Sequence, residues 1–252
     1  MRRDQAPGEF ITKIAIDDLR QTIRSEEDAQ QKELDLSAEA RNNLRFWQSL
    51  GISVDEQDVV HQFEFHHQKF SEGTHGPESL EKRKRLLYVP PITIARIVPM
   101  YGDQLGIIDN FGFTAEDILQ LSSESDTTSY AMEFYLQREP DQLPDRQIGE
   151  TASPQEWQSE VSGYYRGAMD LKERLIVGLM YQQTHNGRTM DVYHKTFCPT
   201  TLLSEMHCVE VAFGTKKGSR KKRTYISACP INLTNKYAGV RETTRTNVHL
   251  QE

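Results

Sequence analysis

Two short runs near the C-terminal end constrain the fold most, His207-Cys208-Val209-Glu210-Val211-Ala212-Phe213 and Thr224-Tyr225-Ile226-Ser227-Ala228. They flank a polar, glycine-containing stretch from Gly214 to Arg223, and β-branched residues placed around such a stretch read as a β-hairpin. At least one antiparallel sheet is therefore expected. A turn centred between Gly218 and Ser219 sets Val211 opposite Ile226 and Cys208 opposite Cys229. Val209, Val211 and Phe213 then share one face with Ile226 and Ala228, an apolar surface that needs a covering layer. Met190 to Phe197 is β-rich in composition, and the last 20 or so residues, rich in Thr and Asn, read as loop or edge strand.

The expected cover is a helix. Ser153-Pro154-Gln155-Glu156 combines serine at the N-cap, proline at the first helical position and glutamate at the third. It is the strongest local start signal in the chain. Trp157, Val161, Tyr164, Ala168, Leu171 and Leu175 follow at spacings of four and three, and Asn186-Gly187 closes the pattern. The spacing predicts one amphipathic helix over 154–185, packed on the sheet; the alternative is a seam through which two copies dimerise.

The front of the chain reads as helices. Residues 1–36 are polar and suit an N-terminal arm or exposed helix. Ser37 caps a helix that ends at Leu50-Gly51 with Leu44, Trp47 and Leu50 on one face. Ser53-Val54-Asp55-Glu56 reads as a capping box for a second helix to about Ser71, with Val59, Phe63 and Phe70 inside. Glu78 to Tyr88 is expected to be helical and to stop at Val89-Pro90-Pro91. Ile92 to Val98 fits a strand or a buried helical turn. Thr114 caps a short helix and Asp126 a longer one to Arg138, and residues 139–153, with Pro140 and Pro144, read as loop or linker. The resulting organisation is 1–36, a mainly helical 37–138, a connecting 139–153, and 154–252, the last forming either its own domain or one domain with 37–138. The fold class is α+β.

Charge divides the chain. Residues 1–150 hold 16 Lys/Arg against 28 Asp/Glu, whereas residues 151–252 hold 14 against 9. The cations of the second part concentrate at the expected hairpin tip, where Lys216, Lys217, Arg220, Lys221, Lys222 and Arg223 fall within eight residues. Cations at that density can neutralise phosphates in a groove, or an acidic protein face. A solvated turn that keeps a sheet edge from pairing is the plainer account.

Two further clusters carry ligand chemistry. His194, Cys198, His207, Cys208 and Cys229 are of the types that bind zinc, and Cys198-Pro199 and Cys229-Pro230 present thiols of the kind that ligate haem iron. Cys-x-x-Cys spacing is absent, and buried cysteines acting as small hydrophobes fit as well. His61, His66, His67 and His75 surround a Glu64-x-x-His67 step, of which a di-iron bundle would need two. The chain contains no phosphate-binding glycine loop, nucleophile elbow or His-Glu-x-x-His.

The N-terminus has no apolar run behind its charges, and no stretch approaches the roughly 20 apolar residues of a spanning helix. Three cysteines are too few for a disulfide framework, so a cytoplasmic protein with reduced thiols is expected, without membrane contact. The functional expectation is a non-enzymatic binding or regulatory protein contacting nucleic acid or an acidic protein surface through the hairpin. An enzyme or metal- or haem-dependent sensor built on the Cys/His cluster, and an adaptor dimerising through 154–185, are the alternatives.

Overall fold

The computed structural model describes residues 38–71, 84–121, 126–135, 146–148, 154, 166–190, 192, 194–215, 222–233 and 238–246. Two helices open it. The first, α1, spans residues 38–49 and ends at Gly51, whose φ of +72° suits a residue without a Cβ. The second, α2 (Glu56–Ser71), starts two residues later than a Ser53 cap would place it, because Asp55 takes that role: Asp55 Oδ1 accepts the Gln57 amide at 2.8 Å. Val59 and Phe63 are buried, as the stripe requires.

Two of the expected helices, Glu78 to Tyr88 and Asp126 to Arg138, contain strands instead. Lys84–Val89 forms β1 and Tyr130–Tyr135 forms β3, paired antiparallel with Leu87 opposite Met132. Residues 86 to 90 are all buried, so both faces of β1 are covered; a short apolar run of this kind fits a helical turn equally well until a partner strand is present. Asp126, expected as a helix cap, instead holds Lys172 at 3.1 Å. Ile94–Ile97 (α3) resolves the ambiguous run as a buried helical turn, continued by a 3-10 segment, Val98–Gln104, into β2 (Leu105–Ile108). Thr114 caps α4 (Ala115–Leu119) as expected, in a reciprocal box with Asp117. Within 139–153, which read as loop, Arg146–Ile148 is a strand, β4.

The stretch 154–185 is not one helix. Pro154 is helical and Trp157, Val161 and Tyr164 lie outside the described residues, but Arg166–Ala168 is a strand, β5, and helix α5 covers only Leu171–Thr184. Gly167 lies inside the expected helix between the stripe positions Tyr164 and Ala168, and a glycine costs a helix interior about 1 kcal/mol relative to alanine. Its backbone pairs instead with Thr243. The start of α5 has a box of its own: Asp170 Oδ1 accepts the Glu173 amide at 2.7 Å, and Glu173 Oε2 accepts the Asp170 amide at 3.0 Å. Leu171 through Leu179 are all buried, so this helix is an interior element and its side chains are not free to form a seam.

The remaining strands are β6 (Lys195–Ser204), β7 (His207–Thr215), β8 (Lys222–Pro230), β9 (Ala238–Val240) and β10 (Glu242–Thr246). The sequence predicts at least one antiparallel sheet, and there are two sheets, one antiparallel and one mixed. Four strands form an antiparallel sheet in the order β1-β3-β10-β5, and six form a mixed sheet in the order β2-β8-β7-β6-β9-β4. Strands from either side of residue 139 share both sheets. The C-terminal Thr-rich run, expected as loop or edge, supplies an interior strand, β10; threonine is β-branched and suits a strand covered on both faces.

The free edge of β1 is closed by side chains from α1. Asn43 donates to Leu86 O at 3.0 Å and accepts from Tyr88 N at 2.9 Å, while the Trp47 indole donates to Tyr88 O at 2.8 Å. Asn43 thus stands in for a strand residue, and backbone groups that would template another chain are occupied. On the far side of β1, the Tyr88 hydroxyl and Ser129 Oγ both donate to Asp58 of α2, at 2.5 and 2.7 Å. Among the described residues, no helix is long and apolar enough to cross a membrane.

Candidate functional site

The β7–β8 hairpin has the register expected of it. Nine consecutive pairs run without a shift from His207 opposite Pro230 to Thr215 opposite Lys222, with Val211 facing Ile226 and Cys208 facing Cys229. Lys216, Lys217, Arg220 and Lys221 lie outside the described residues. Lys222 is exposed on the last pair of the ladder, and the Arg223 guanidinium sits 5.9 Å from the centre of the Tyr225 ring. Gly106 of β2 makes room for both, since a Cβ there would come within 2.9 Å of the Tyr225 ring and 3.2 Å of Arg223 Cδ. Tyr225 itself is buried beneath Arg223, so it orients a cation and offers no open face for a base.

At the other end of the ladder the two thiols touch, with Cys208 Sγ 3.4 Å from Cys229 Sγ. They pack with Ala168, Phe197 and Val240 in a small apolar cluster on one face of the six-stranded sheet. Cys198 pairs with Val209 and joins the main core on the opposite face. Burial pushes the Cys198 thiol well above its ordinary range, and the contact with Cys208 followed by burial does the same for Cys229. Such thiols stay protonated and react slowly. His207 points away, its ring 5.3 Å from those of Phe111 and Phe113, and His194 is half-buried just before β6. Of the five residues with ligand chemistry, the fold brings only Cys208 and Cys229 into contact. Among the described residues, no group of three or more His, Cys, Asp or Glu side chains is arranged to hold a metal ion. The prolines of both Cys-Pro pairs punctuate strands: the β6–β7 register shifts just after Pro199, which lacks an amide hydrogen, and β8 ends at Pro230.

The histidine cluster near α2 disperses in the same way. His66 is buried, with Nδ1 2.9 Å from Thr246 Oγ1, and so ties α2 to β10; His61 and His67 are exposed, and His75 lies outside the described residues.

No family model, curated protein or solved structure matches this chain. Its chemistry must be read from its own side chains.

One ionisable cluster was not visible as such in the sequence. Lys172, Glu173 and Arg174 are consecutive, and all three are buried in the first turn of α5. Glu173 receives two bonds from the Arg245 guanidinium, each 2.5 Å, and one from Tyr130 at 3.1 Å; Lys172 meets Asp126, and Arg174 Nε reaches toward Thr196 Oγ1. Arg245 also donates to Ala168 O at 2.9 Å, so one side chain of β10 joins α5 to β5. The Asp170-x-x-Glu173 box was the available signal, masked by the stronger start signal at Ser153. Buried clusters of ionisable side chains are common in active sites. Here Glu173, Arg245 and Tyr130 are bonded to one another within the fold, which is the arrangement of a structural network.

Burial, reinforced by Glu173, pushes the Asp170 carboxyl up to about 6. A carboxyl raised in the folded state binds its proton more tightly there than in the unfolded chain, where about 3.9 is usual. Stability from this group is therefore full below about pH 4 and falls as pH rises to about 6. Asp170→Asn keeps a good capping residue and removes the charge. The variant is expected to match the parent near pH 4 and to exceed it by about 1–2 kcal/mol above pH 6. Urea unfolding at pH 4, 5, 6 and 7 checks this, and equal stabilities at pH 7 would rule out a destabilising charge at Asp170.

A half-open cleft of about 390 Å³ lies between α1, β1 and the end of α5, with Arg45, Arg85, Phe46, Met180 and Gln183 in its walls. Gln183 closes one side by donating to Ser49 Oγ at 2.7 Å.

Proposed function

We propose that this chain is a non-enzymatic binding protein that contacts an anionic partner, nucleic acid before an acidic protein face, through the basic end of the β7–β8 hairpin. One observation carries the reading. The ladder stays in register to Thr215 and Lys222, so six residues holding four cations connect its last pair, and Lys222 and Arg223 continue the charge onto β8. A rigid two-stranded stem ending in six cations suits insertion between phosphates, and the stem lies within a chain whose first 150 residues are net acidic. Burial of all three thiols supports a packing role for them in place of redox chemistry.

The test is a salt titration of DNA and RNA binding with the whole chain. Replacing Lys216, Lys217, Arg220, Lys221, Lys222 and Arg223 by Ser or Gln is expected to leave the unfolding midpoint nearly unchanged, since exposed charges away from packed sites contribute within roughly 0.5 kcal/mol each. The slope of log affinity against log salt should flatten by about 0.9 for each duplex phosphate that is no longer neutralised. Parent protein that binds neither nucleic acid nor an acidic polymer at low salt would remove the proposal. A variant that aggregates while binding unchanged would assign the charges to edge protection.

A further inference from the structure

Among the described residues, the large apolar side chains left exposed are Phe111, Leu202, Met206 and Leu233, and they gather at one end of the six-stranded sheet. It is the end opposite the basic tip. Met206 occupies the turn between β6 and β7, and its carbonyl accepts the Ile231 amide, so the segment carrying Leu233 runs alongside. Phe111 reaches the same place through His207, ring centres 5.3 Å apart.

Phe111 is the unusual member. Asn110 and Phe113 exchange both backbone hydrogen bonds, at 3.2 and 2.9 Å, and the two residues between them are left-handed, with φ of +51° at Phe111 and +83° at Gly112. A turn of this kind takes Asn, Asp or Gly at its first central position. A bulky aromatic residue with positive φ is strained, and Phe111 recovers little by burial because it is 59 % exposed. The turn is also held rigidly. The Asn110 side chain donates to Ala228 O at 2.9 Å and accepts from Ala228 N at 3.0 Å, pinning the loop to β8. An aromatic ring presented to solvent on a fixed support meets the needs of a preorganised binding anchor, which loses little freedom when it docks.

Charge indicates what docks. Exposed carboxylates adjoin the patch residues in sequence: Asp109 is two residues before Phe111, Glu205 is next to Met206, and Glu116 and Asp117 follow on α4. Asp117 is kept ionised by its bonds from the Thr114 amide and hydroxyl. We propose that this end of the sheet docks a basic protein segment carrying an apolar anchor, which packs on Phe111 and Met206 while its cations meet the flanking carboxylates.

Fluorescence anisotropy with the whole chain and three labelled peptides of equal length, alternating Lys/Leu, Lys/Ser and Glu/Leu, tests this. The Lys/Leu peptide is expected to bind at least about tenfold tighter than either control. Phe111→Gly should weaken it by about tenfold or more with an unfolding midpoint equal to or above the parent's, because glycine accepts the left-handed turn without strain. Glu205→Lys should weaken it as well, and the variant lacking the six hairpin cations should bind it like the parent. The proposal falls if the Lys/Leu peptide does not bind, if a control peptide binds as tightly, or if Phe111→Gly leaves binding unchanged. It also falls if sedimentation shows dimers of the parent that Phe111→Gly abolishes, which would give the patch to the basic tip of a second copy.

Discussion

Trp47→Ala is expected to destabilise the protein by about 4–5 kcal/mol. Truncating a buried tryptophan generally costs about 3–5 kcal/mol through reduced transfer energy and the cavity left behind, and Trp47 is fully buried beside Phe46 at a ring separation of 4.9 Å. A second penalty adds to this. The indole N–H is the partner of Tyr88 O, and an orphaned carbonyl at a covered sheet edge costs about 1 kcal/mol or more. Trp47→Phe separates the two effects, because it retains most of the ring volume and removes only the donor, so it should cost about 1–3 kcal/mol. Urea unfolding of both variants measures the difference. A destabilisation below about 1.5 kcal/mol for the alanine variant would mean that α1 contributes little to closing the β1 edge.

Glu173→Ala is expected to cost about 3–5 kcal/mol, because it leaves the Arg245 guanidinium and the Tyr130 hydroxyl facing a site without the carboxylate that compensates them. The more informative measurement is a cycle. Glu173→Leu combined with Arg245→Met removes both charges at similar volume, and it should recover most of the stability, since a buried pair is expensive to break but cheap to replace. If the double variant is as unstable as the sum of the singles, the two residues do not act as a pair. Because this network bonds α5, β3, β5 and β10 together, breaking it should also lower the unfolding slope with denaturant if part of the four-stranded sheet then melts separately.

Some elements were legible from local residue types alone. The hairpin register follows from alternation on both sides of a polar turn, the end of α1 from Gly51, and the start of α4 from Thr114; each is decided by residues within about twenty positions of one another. The sequence also set the basic character of the hairpin tip and the facing of Cys208 by Cys229, since both depend only on that register.

Long-range pairing decided the rest. Leu86-Leu87-Tyr88-Val89 and Tyr130 to Tyr135 lack the turn signals of the hairpin, and become strands because each supplies the other's ladder across more than 40 residues. Gly167 leaves an apparently continuous helical stripe because Thr243, 76 positions later, takes up its backbone hydrogen bonds. No local pattern encodes those partners. The same holds for the charges of α5: Lys172-Glu173-Arg174 lies between the stripe positions Leu171 and Leu175, and only the arrival of Asp126, Tyr130 and Arg245 from other strands and loops makes its burial tolerable. Local propensity differs between helix and strand by a few tenths of a kcal/mol per residue, whereas tertiary packing at these positions is worth several times that, so packing overrides the sequence pattern wherever the two compete.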